Sequence, residues 1–142
     1  MRFVVNSLAA RAQSIAEIEA KLAARGVPSD VASEVVAEAV ALAYLDDAEL
    51  ASQLARGYRS RGYGKRRASQ ALRRRRLPAD VVGAALDAAY GVADEVEDAR
   101  RALGSRPVGD ERERRRAVGF LVRRGFSSGA AWQAVRAARD AE

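Results

Sequence analysis

Residues 22–31 read LAARGVPSDV, and similar stretches follow at residues 72–81 (LRRRRLPADV) and 121–130 (LVRRGFSSGA). Each stretch has a leucine, a basic residue three positions later, and then an apolar residue before a segment suited to starting a helix. The leading leucines are separated by 50 and 49 residues. A fixed period of this length is typical of helical repeat proteins. The sequence therefore predicts a tandem array of helical repeats.

The first repeat indicates how each one folds. Ser14 and Glu17 have the spacing of a capping box, which marks the start of a helix. Gly26 follows a basic last turn, as helix ends prefer. Pro28 opens a second helix, and Asp46 is expected to cap a third. The chain is 49% hydrophobic but only 6% aromatic, which favours closely packed helices over sheets. We therefore predict an all-α fold of three-helix repeats.

The repeat also predicts the limits of the domains. The first three-helix repeat, with a leading N-terminal segment, is expected at residues 1–61, and the second at residues 62–105. Residues 104–109 (GSRPVG) form the best candidate linker. The third repeat, residues 110–142, is predicted to hold two helices only and so to be truncated. An array of this kind is expected to be elongated.

The composition argues against several classes of function. The chain has no cysteine and no histidine, so it lacks thiolate metal sites, disulfides and the commonest general base. The adjacent carboxylates of Asp46 and Asp47 are read as a helix start rather than a metal or acid–base pair. We expect no enzyme activity and no cofactor. No secretory signal or membrane span is predicted, so the expected location is the cytoplasm.

Charge is distributed very unevenly along the chain. Residues 1–55 hold 4 basic and 8 acidic residues, and residues 77–142 hold 11 of each. Residues 56–76, the basic block, hold 10 basic residues and no acidic one. A concentration of one sign of charge attracts polyanions. The block therefore indicates binding to nucleic acid.

Arginine and tyrosine are suited to that partner. Guanidinium groups pair with phosphate oxygens, and aromatic rings stack on unpaired bases. Tyr63 lies between two glycines, in a turn that could present its ring. Arg123 and Arg124 stand at the equivalent helix end of the third repeat and could extend the patch. The predicted nucleic-acid contacts are Arg56, Arg59, Arg61, Tyr63, Lys65, Arg66, Arg67, Arg73, Arg74, Arg75, Arg76, Arg123 and Arg124.

Part of the block has a simpler interpretation. Arginines 73–76 could merely complement the C-terminal end of a helix. Arg76 also stands where the first and third repeats have Gly26 and Gly125. If that position is left-handed, a residue other than glycine costs about 1–2 kcal/mol. Either the turn differs in the second repeat, or the strain is tolerated for an extra charge.

The chain resembles the RecX family of bacterial recombination regulators over roughly residues 8–135. Leu50 stands where that family usually has an aromatic residue, and Arg76 replaces its usual glycine. The segments that carry the resemblance are Arg11-Ala-Gln-Ser14 with Glu17, Leu22 and Arg25-Gly26; Leu45-Asp46-Asp47; Arg59-Ser-Arg61-Gly62-Tyr63-Gly64 with Arg66 and Arg67; and Arg123-Arg124-Gly125-Phe126-Ser127.

The resemblance implies tandem three-helix repeats without enzyme activity. It also implies a protein that lodges in the groove of the RecA–DNA filament and inhibits the ATPase and strand exchange of RecA. We therefore expect a monomer that contacts the RecA filament and single- or double-stranded DNA. Two alternatives remain open: a free-standing nucleic-acid-binding protein of helix-turn-helix type, and a helical interaction scaffold. The helices expected at residues 31–42 and 81–89 carry few base-reading side chains, which counts against the first alternative.

Overall fold

The computed structural model describes residues 1–91 and 94–141, which form nine α-helices and no strand. The predicted all-α class is confirmed. In chain order the helices are α1 (Arg2–Ala10), α2 (Ile15–Ala24), α3 (Ser29–Ala41), α4 (Asp47–Ser60), α5 (Lys65–Arg74), α6 (Ala79–Tyr90), α7 (Glu95–Leu103), α8 (Glu111–Arg123) and α9 (Ser128–Asp140). None of these helices is long and apolar enough to cross a membrane.

The buried side chains form three separate clusters, each built by three consecutive helices. The first cluster joins α1 to α3 around Ile18 and Leu22. The second joins α4 to α6 around Leu72, and the third joins α7 to α9 around Leu121 and Phe126. We call these bodies unit one, unit two and unit three. Tandem three-helix units are therefore present, as the repeat predicts.

The clusters divide the chain one helix earlier than the predicted limits of residues 1–61, 62–105 and 110–142. Leu50 and Ala55 of α4 are buried in unit two, and Leu103 of α7 is buried in unit three. The repeated stretch spans only the second and third helices of each unit and the turn between them. It therefore carries no information about the helix that precedes it, and unit three contains three helices rather than two.

Local capping accounts for where the helices begin. Ser14 and Glu17 form the predicted capping box: the Glu17 amide donates to Ser14 Oγ at 3.1 Å, and the Ser14 amide donates to Glu17 Oε1 at 2.9 Å. The Asp46 carboxylate accepts from the Glu49 amide at 3.1 Å, as expected of a cap. Asp47 is turned elsewhere, because its Oδ1 accepts from the Ile15 amide at 2.9 Å. The two carboxylates thus start helices in different units.

The turn after the second helix is left-handed in every unit. Its φ is +78° at Gly26, +56° at Arg76 and +102° at Gly125. The turn in unit two therefore does not differ, and Arg76 tolerates a strain of about 1–2 kcal/mol. The end of α3 uses the same conformation at Ala43, with φ +60°.

The three units together expose a large surface. The accessible area is 8507 Å², whereas a compact monomer of 15.3 kDa exposes about 7,100 Å². The difference agrees with an elongated array of small cores rather than one central core.

Candidate nucleic-acid interface

The predicted contacts lie in three places: the end of α4 and the turn after it, the length of α5, and the end of α8. The fold brings the last two together. The Gly64 amide donates to the Arg124 carbonyl at 2.8 Å, and the Arg66 amide donates to the Gly125 carbonyl at 3.3 Å. The first turn of α5 therefore abuts the C-terminal end of α8.

This abutment depends on two glycines. A Cβ on Gly64 would lie 2.5 Å from the carbonyl carbon of Gly125, and a Cβ on Gly125 would lie 2.5 Å from Cβ of Arg67. Such distances require the backbones to separate. The close approach places Arg67 Nη1 within 3.2 Å of the Arg123 carbonyl oxygen.

Arg124 links unit three to unit two. Its Nε donates to the Gly62 carbonyl at 3.3 Å, and its Nη2 donates to the Arg61 carbonyl at 2.6 Å. These carbonyls follow the last turn of α4, where the helix leaves acceptors without partners. Arg124 therefore acts as a joint between units.

Arg75 occupies the same position one repeat earlier and links unit two to unit one. Its Nη2 donates to the Ala12 carbonyl at 2.6 Å, and its Nε donates to Glu17 Oε2 at 3.0 Å. Ala12 and Gly62 are 50 residues apart, so the two joints use equivalent acceptors. The basic residue that defines the repeat thus has a structural role.

The joint with Arg75 contributes to a lowered pKa of the Glu17 carboxyl. Burial raises the pKa of this carboxyl, but the hydrogen bonds from Arg75 and from the Ser14 amide outweigh it, together with the charges of Arg75 and Arg11. The pKa of Glu17 therefore lies below its ordinary value of 4.5. The ionised carboxylate is the form that the fold stabilises.

Arg59 makes another connection between units two and three. Its Nε lies 3.1 Å from Asp98 Oδ2 on α7, and its Nη1 donates to the Ala89 carbonyl at 3.0 Å. The Asp98 side chain is only 10% exposed. The guanidinium groups of Arg59, Arg75 and Arg124, all predicted nucleic-acid contacts, are thus engaged inside the protein.

The ring of Tyr63 packs against other side chains of the protein and is not free to stack on a base. Arg124 lies over its ring at 4.0 Å, and the ring of Tyr58 packs against it with centroids 5.4 Å apart. The Tyr63 carbonyl accepts from the Tyr90 hydroxyl at 2.9 Å. Burial and the charge of Asp98 raise the pKa of Tyr90 to about 12. Tyr63 therefore lacks the free ring that base stacking needs.

The remaining predicted side chains are exposed and point to a narrower interface. Lys65 Nζ lies 3.9 Å from Asp87, which is a weak surface pair. Within the described part of the chain, no ion pair engages the side chains of Arg66, Arg73, Arg74 or Arg76. The exposed basic residues of the predicted set are Arg56, Arg61, Lys65, Arg66, Arg67, Arg73, Arg74, Arg76 and Arg123.

The first turn of α5 has an unusual charge for a helix start. It carries Lys65, Arg66 and Arg67 and no acidic residue. The first turns of α4, α7 and α8 each contain at least two acidic residues. The helix dipole disfavours a cation at this end by about 0.3–1 kcal/mol, although the α8 carbonyls offset part of that cost. This charge arrangement is expected where the cations bind an external anion.

A cleft of about 790 Å³ lies beside this junction, between units two and three. Its lining includes Arg56, Arg61, Arg101 and Arg124, with Asp98 as the acidic member. Arg101 is absent from the sequence-based set because residues 77–142 have no net charge. Only the fold shows that it lies near the basic block.

Known proteins give the same division of the chain. Models of the first and second three-helix domains of RecX match residues 2–38 and 46–86, close to the limits of units one and two. The regulatory protein RecX of Mycolicibacterium vanbaalenii is 35% identical, over 92% of this chain and 77% of that protein. The RecX of Mycobacterium avium is 35% identical, over 95% of this chain and 82% of that protein.

A solved structure shows the same fold over almost the whole chain. The crystal structure of RecX from Lactobacillus salivarius superposes with a TM-score of 0.81 at 18% identity, and the match covers 99% of this chain and 94% of the other.

The RecX of Deinococcus radiodurans is 35% identical over 96% of this chain and 66% of that protein. With both family models and relatives at this identity, the chain belongs to the RecX family of regulatory proteins.

Proposed function

We propose that this protein binds RecA and RecA–DNA filaments and inhibits their ATP hydrolysis and strand exchange, while its exposed arginines contact DNA phosphates. Membership of the RecX family supports the partner. The observation that carries the DNA contact is the first turn of α5, where three cations are placed against the helix dipole. The protein acts by occupying the filament, without a catalytic step of its own.

The DNA contact is assigned to the exposed part of the basic block. The side chains of Arg59, Arg75 and Arg124 form hydrogen bonds between units, so we assign them to stabilising the fold. Arg66 and Arg73 are seven residues apart on α5, which places them on one face of the helix. Guanidinium groups on such a face can pair with successive phosphates without reading bases.

Unit one is assigned to the protein partner. The exposed large apolar residues of the described chain all lie in this unit: Val5, Val31, Val40, Leu42 and Tyr44, each at least 40% exposed. The helix α3, which carries Val31 and Val40, also holds Asp30, Glu34 and Glu38 and no basic residue, so this surface repels phosphate. Apolar residues on an acidic surface favour a protein contact.

Base reading by a helix-turn-helix is less well supported in unit two, which carries the basic block. A recognition helix is the last helix of such a unit and needs exposed Arg, Asn or Gln. The exposed residues of α6 are small or acidic: Ala79, Asp80, Ala84, Asp87 and Ala88. Phosphate contact through α5 does not require such a helix.

The central experiment adds the protein to RecA on single-stranded DNA and follows ATP hydrolysis and strand exchange. Both rates are expected to fall. The double variant Leu42→Ser with Tyr44→Ser should lose this inhibition and keep its affinity for free DNA. A control on α3, just before these residues, is Ala37→Ser with Ala41→Ser, and it should inhibit normally. No effect of the wild type at saturation would refute the proposed partner.

The DNA contact is tested without RecA. If about five charges contact phosphates, the logarithm of affinity for single-stranded DNA should fall with the logarithm of salt at a slope near −3.5. Replacing Arg66, Arg73 and Arg74 by Gln should make that slope shallower by about 2. The control removes the same charge elsewhere, with Arg100, Arg136 and Arg139 replaced by Gln. A slope that is flat in the wild type, or equal in both variants, contradicts the contact.

A further inference from the structure

We propose that α8 carries a second phosphate-binding face, formed by Arg112, Arg116 and Arg123, which continues the face of α5. The proposal rests on the DNA contact proposed above. Arg112 and Arg116 lie outside the basic block, in a part of the chain whose charges sum to zero. The ligand would be the sugar–phosphate backbone of a nucleic-acid strand.

The three arginines share one stripe of α8. They are spaced at i, i+4 and i+11, which places them within about 40° of one another around the helix axis. All three are exposed. Across residues 1–91 and 94–141, no ion pair or side-chain hydrogen bond engages them. Gly119 lies on the same stripe and adds no side chain to it.

The acidic residues of α8 do not neutralise this stripe. Asp110 caps the helix, where it accepts from the Glu113 amide at 2.7 Å. Glu111 lies 3.2 Å from Arg115 and 3.4 Å from Arg114. These acids belong to the first turn, as the helix dipole favours. A count of charge along the sequence hides the stripe, because it adds residues that face different directions.

Two of the three positions are basic in unit two, and the third, equivalent to Arg112, is Tyr63. A shift of 49 residues relates Arg67 to Arg116 and Arg74 to Arg123. In unit one the positions equivalent to Arg67 and Arg74 hold Glu17 and Ala24. The basic face is therefore a property of the second helix in units two and three, and is absent from the unit assigned to the protein partner.

The abutting helix ends make the two faces adjacent. The Arg66 amide donates to the Gly125 carbonyl at 3.3 Å, and Arg67 Nη1 donates to the Arg123 carbonyl at 3.2 Å. The 13 residues of α8 and the 10 of α5 measure about 20 and 15 Å along their axes. The end of α8 that carries Arg123 thus lies beside the start of α5 that carries Arg66 and Arg67.

The test measures the salt dependence of single-stranded DNA binding by the full chain, with Arg112, Arg116 and Arg123 replaced by Gln. Three contacts on α8 in addition to those on α5 would make the wild-type slope steeper than −3.5, and the slope of the triple variant is expected to be shallower than that of the wild type by about 2, since each lost phosphate contact removes about 0.7. The matched control again replaces Arg100, Arg136 and Arg139 by Gln, which removes equal charge from α7 and α9. Its slope should change by less than about 0.7. Circular dichroism checks that both variants are folded, and the single variants Arg112→Gln and Arg116→Gln replace the triple if it is not.

The outcomes separate this proposal from the DNA contact itself. A wild type that does not bind DNA refutes both. If the α5 variant weakens binding but the α8 variant matches the control, the second face is refuted and the first one stands. That result would also be expected if α8 met an acidic protein surface instead of a nucleic acid.

Discussion

The arginine of the repeat contacts its own unit in unit one and the preceding unit in units two and three. Arg25 lies over the ring of Phe3 at 4.1 Å, within its own unit. Arg75 and Arg124 reach back to carbonyl oxygens of the preceding unit. The guanidinium is suited to this task because its planar donors can bind two acceptors at once. The lysine ammonium has no such fork, so the joint depends on arginine rather than on charge alone.

The joint between Arg75 and Glu17 should make stability depend on pH. Because the pKa of Glu17 is lowered from 4.5, its contribution is fully present above the pKa of the unfolded chain. It is lost as the pH falls through the folded pKa. We expect Arg75→Gln to lower the free energy of unfolding by about 1–3 kcal/mol at neutral pH. Urea unfolding should show the difference shrinking in acid.

Glu19 provides the control for this pH dependence, because it is exposed on the same helix. Glu19→Gln should change the free energy of unfolding little at either pH. An Arg75→Gln deficit of equal size at neutral and acid pH would contradict the role of the Glu17 carboxylate.

Arg76 is expected to lower the stability of the fold and to raise the affinity for DNA. Its φ of +56° is a conformation that glycine adopts freely. Arg76→Gly should therefore raise the free energy of unfolding by about 1 kcal/mol, and it should weaken DNA binding if the side chain contacts phosphate. Ala43→Gly relieves a similar φ of +60° without removing a charge. It should raise stability and leave DNA affinity unchanged, and a parallel loss of affinity in both variants would count against a contact by Arg76.

At the level of helices, the meeting of α5 and α8 aligns the ends that carry opposite partial charges. The carbonyls at the end of α8 accept from the amides at the start of α5, so each end satisfies the other. This pairing tolerates three cations in the first turn of α5 and makes the junction sensitive to any added atom.

Gly64→Ala should weaken this junction. The new Cβ would meet the Gly125 backbone at 2.5 Å, and overpacking of this kind costs about 1–3 kcal/mol. Gly83→Ala is the control, because nothing lies within 4 Å of its Cβ and it stands inside α6. That variant should gain about 0.5–1 kcal/mol. Thermal unfolding of both variants checks the prediction, which fails if they shift in the same direction.

The helix pattern explains what could be predicted from the sequence. The caps at Ser14 and Asp46 depend on residues three positions apart, so a local reading finds them. The sequence does not reveal which unit α4 packs in, because that packing depends on its contacts with α5 and α6. The same limit applies to Arg75 and Arg124: their basic character is visible in the sequence, but their acceptors lie about 63 residues away.

For the whole molecule, the joints should determine the shape in solution. A compact chain of this length has a radius of gyration of about 14.5 Å. X-ray scattering is expected to give a larger value for the wild type, and a still larger one when Arg75 and Arg124 are both replaced by Gln. Replacing Arg100 and Arg136 by Gln removes the same charge and should leave the radius unchanged. A wild-type radius at the compact value would contradict an elongated array.

The charges of the units also follow a division that only the fold makes visible. Unit one carries the exposed apolar residues, next to the acidic residues of α3, and the second helices of units two and three carry the arginine faces. Binding to the protein partner and to nucleic acid can therefore be altered by separate substitutions.

The inter-unit joints with Arg75 and Arg124 have a direction. The donor stands at the end of the second helix of the later unit, and the acceptor stands before the second helix of the earlier one. Unit two holds both parts, since Arg75 is a donor and Gly62 is an acceptor. A duplicated copy of unit two would bring its own donor and its own acceptor. Evolution or an engineer could therefore lengthen the array by whole units without inventing a new connection.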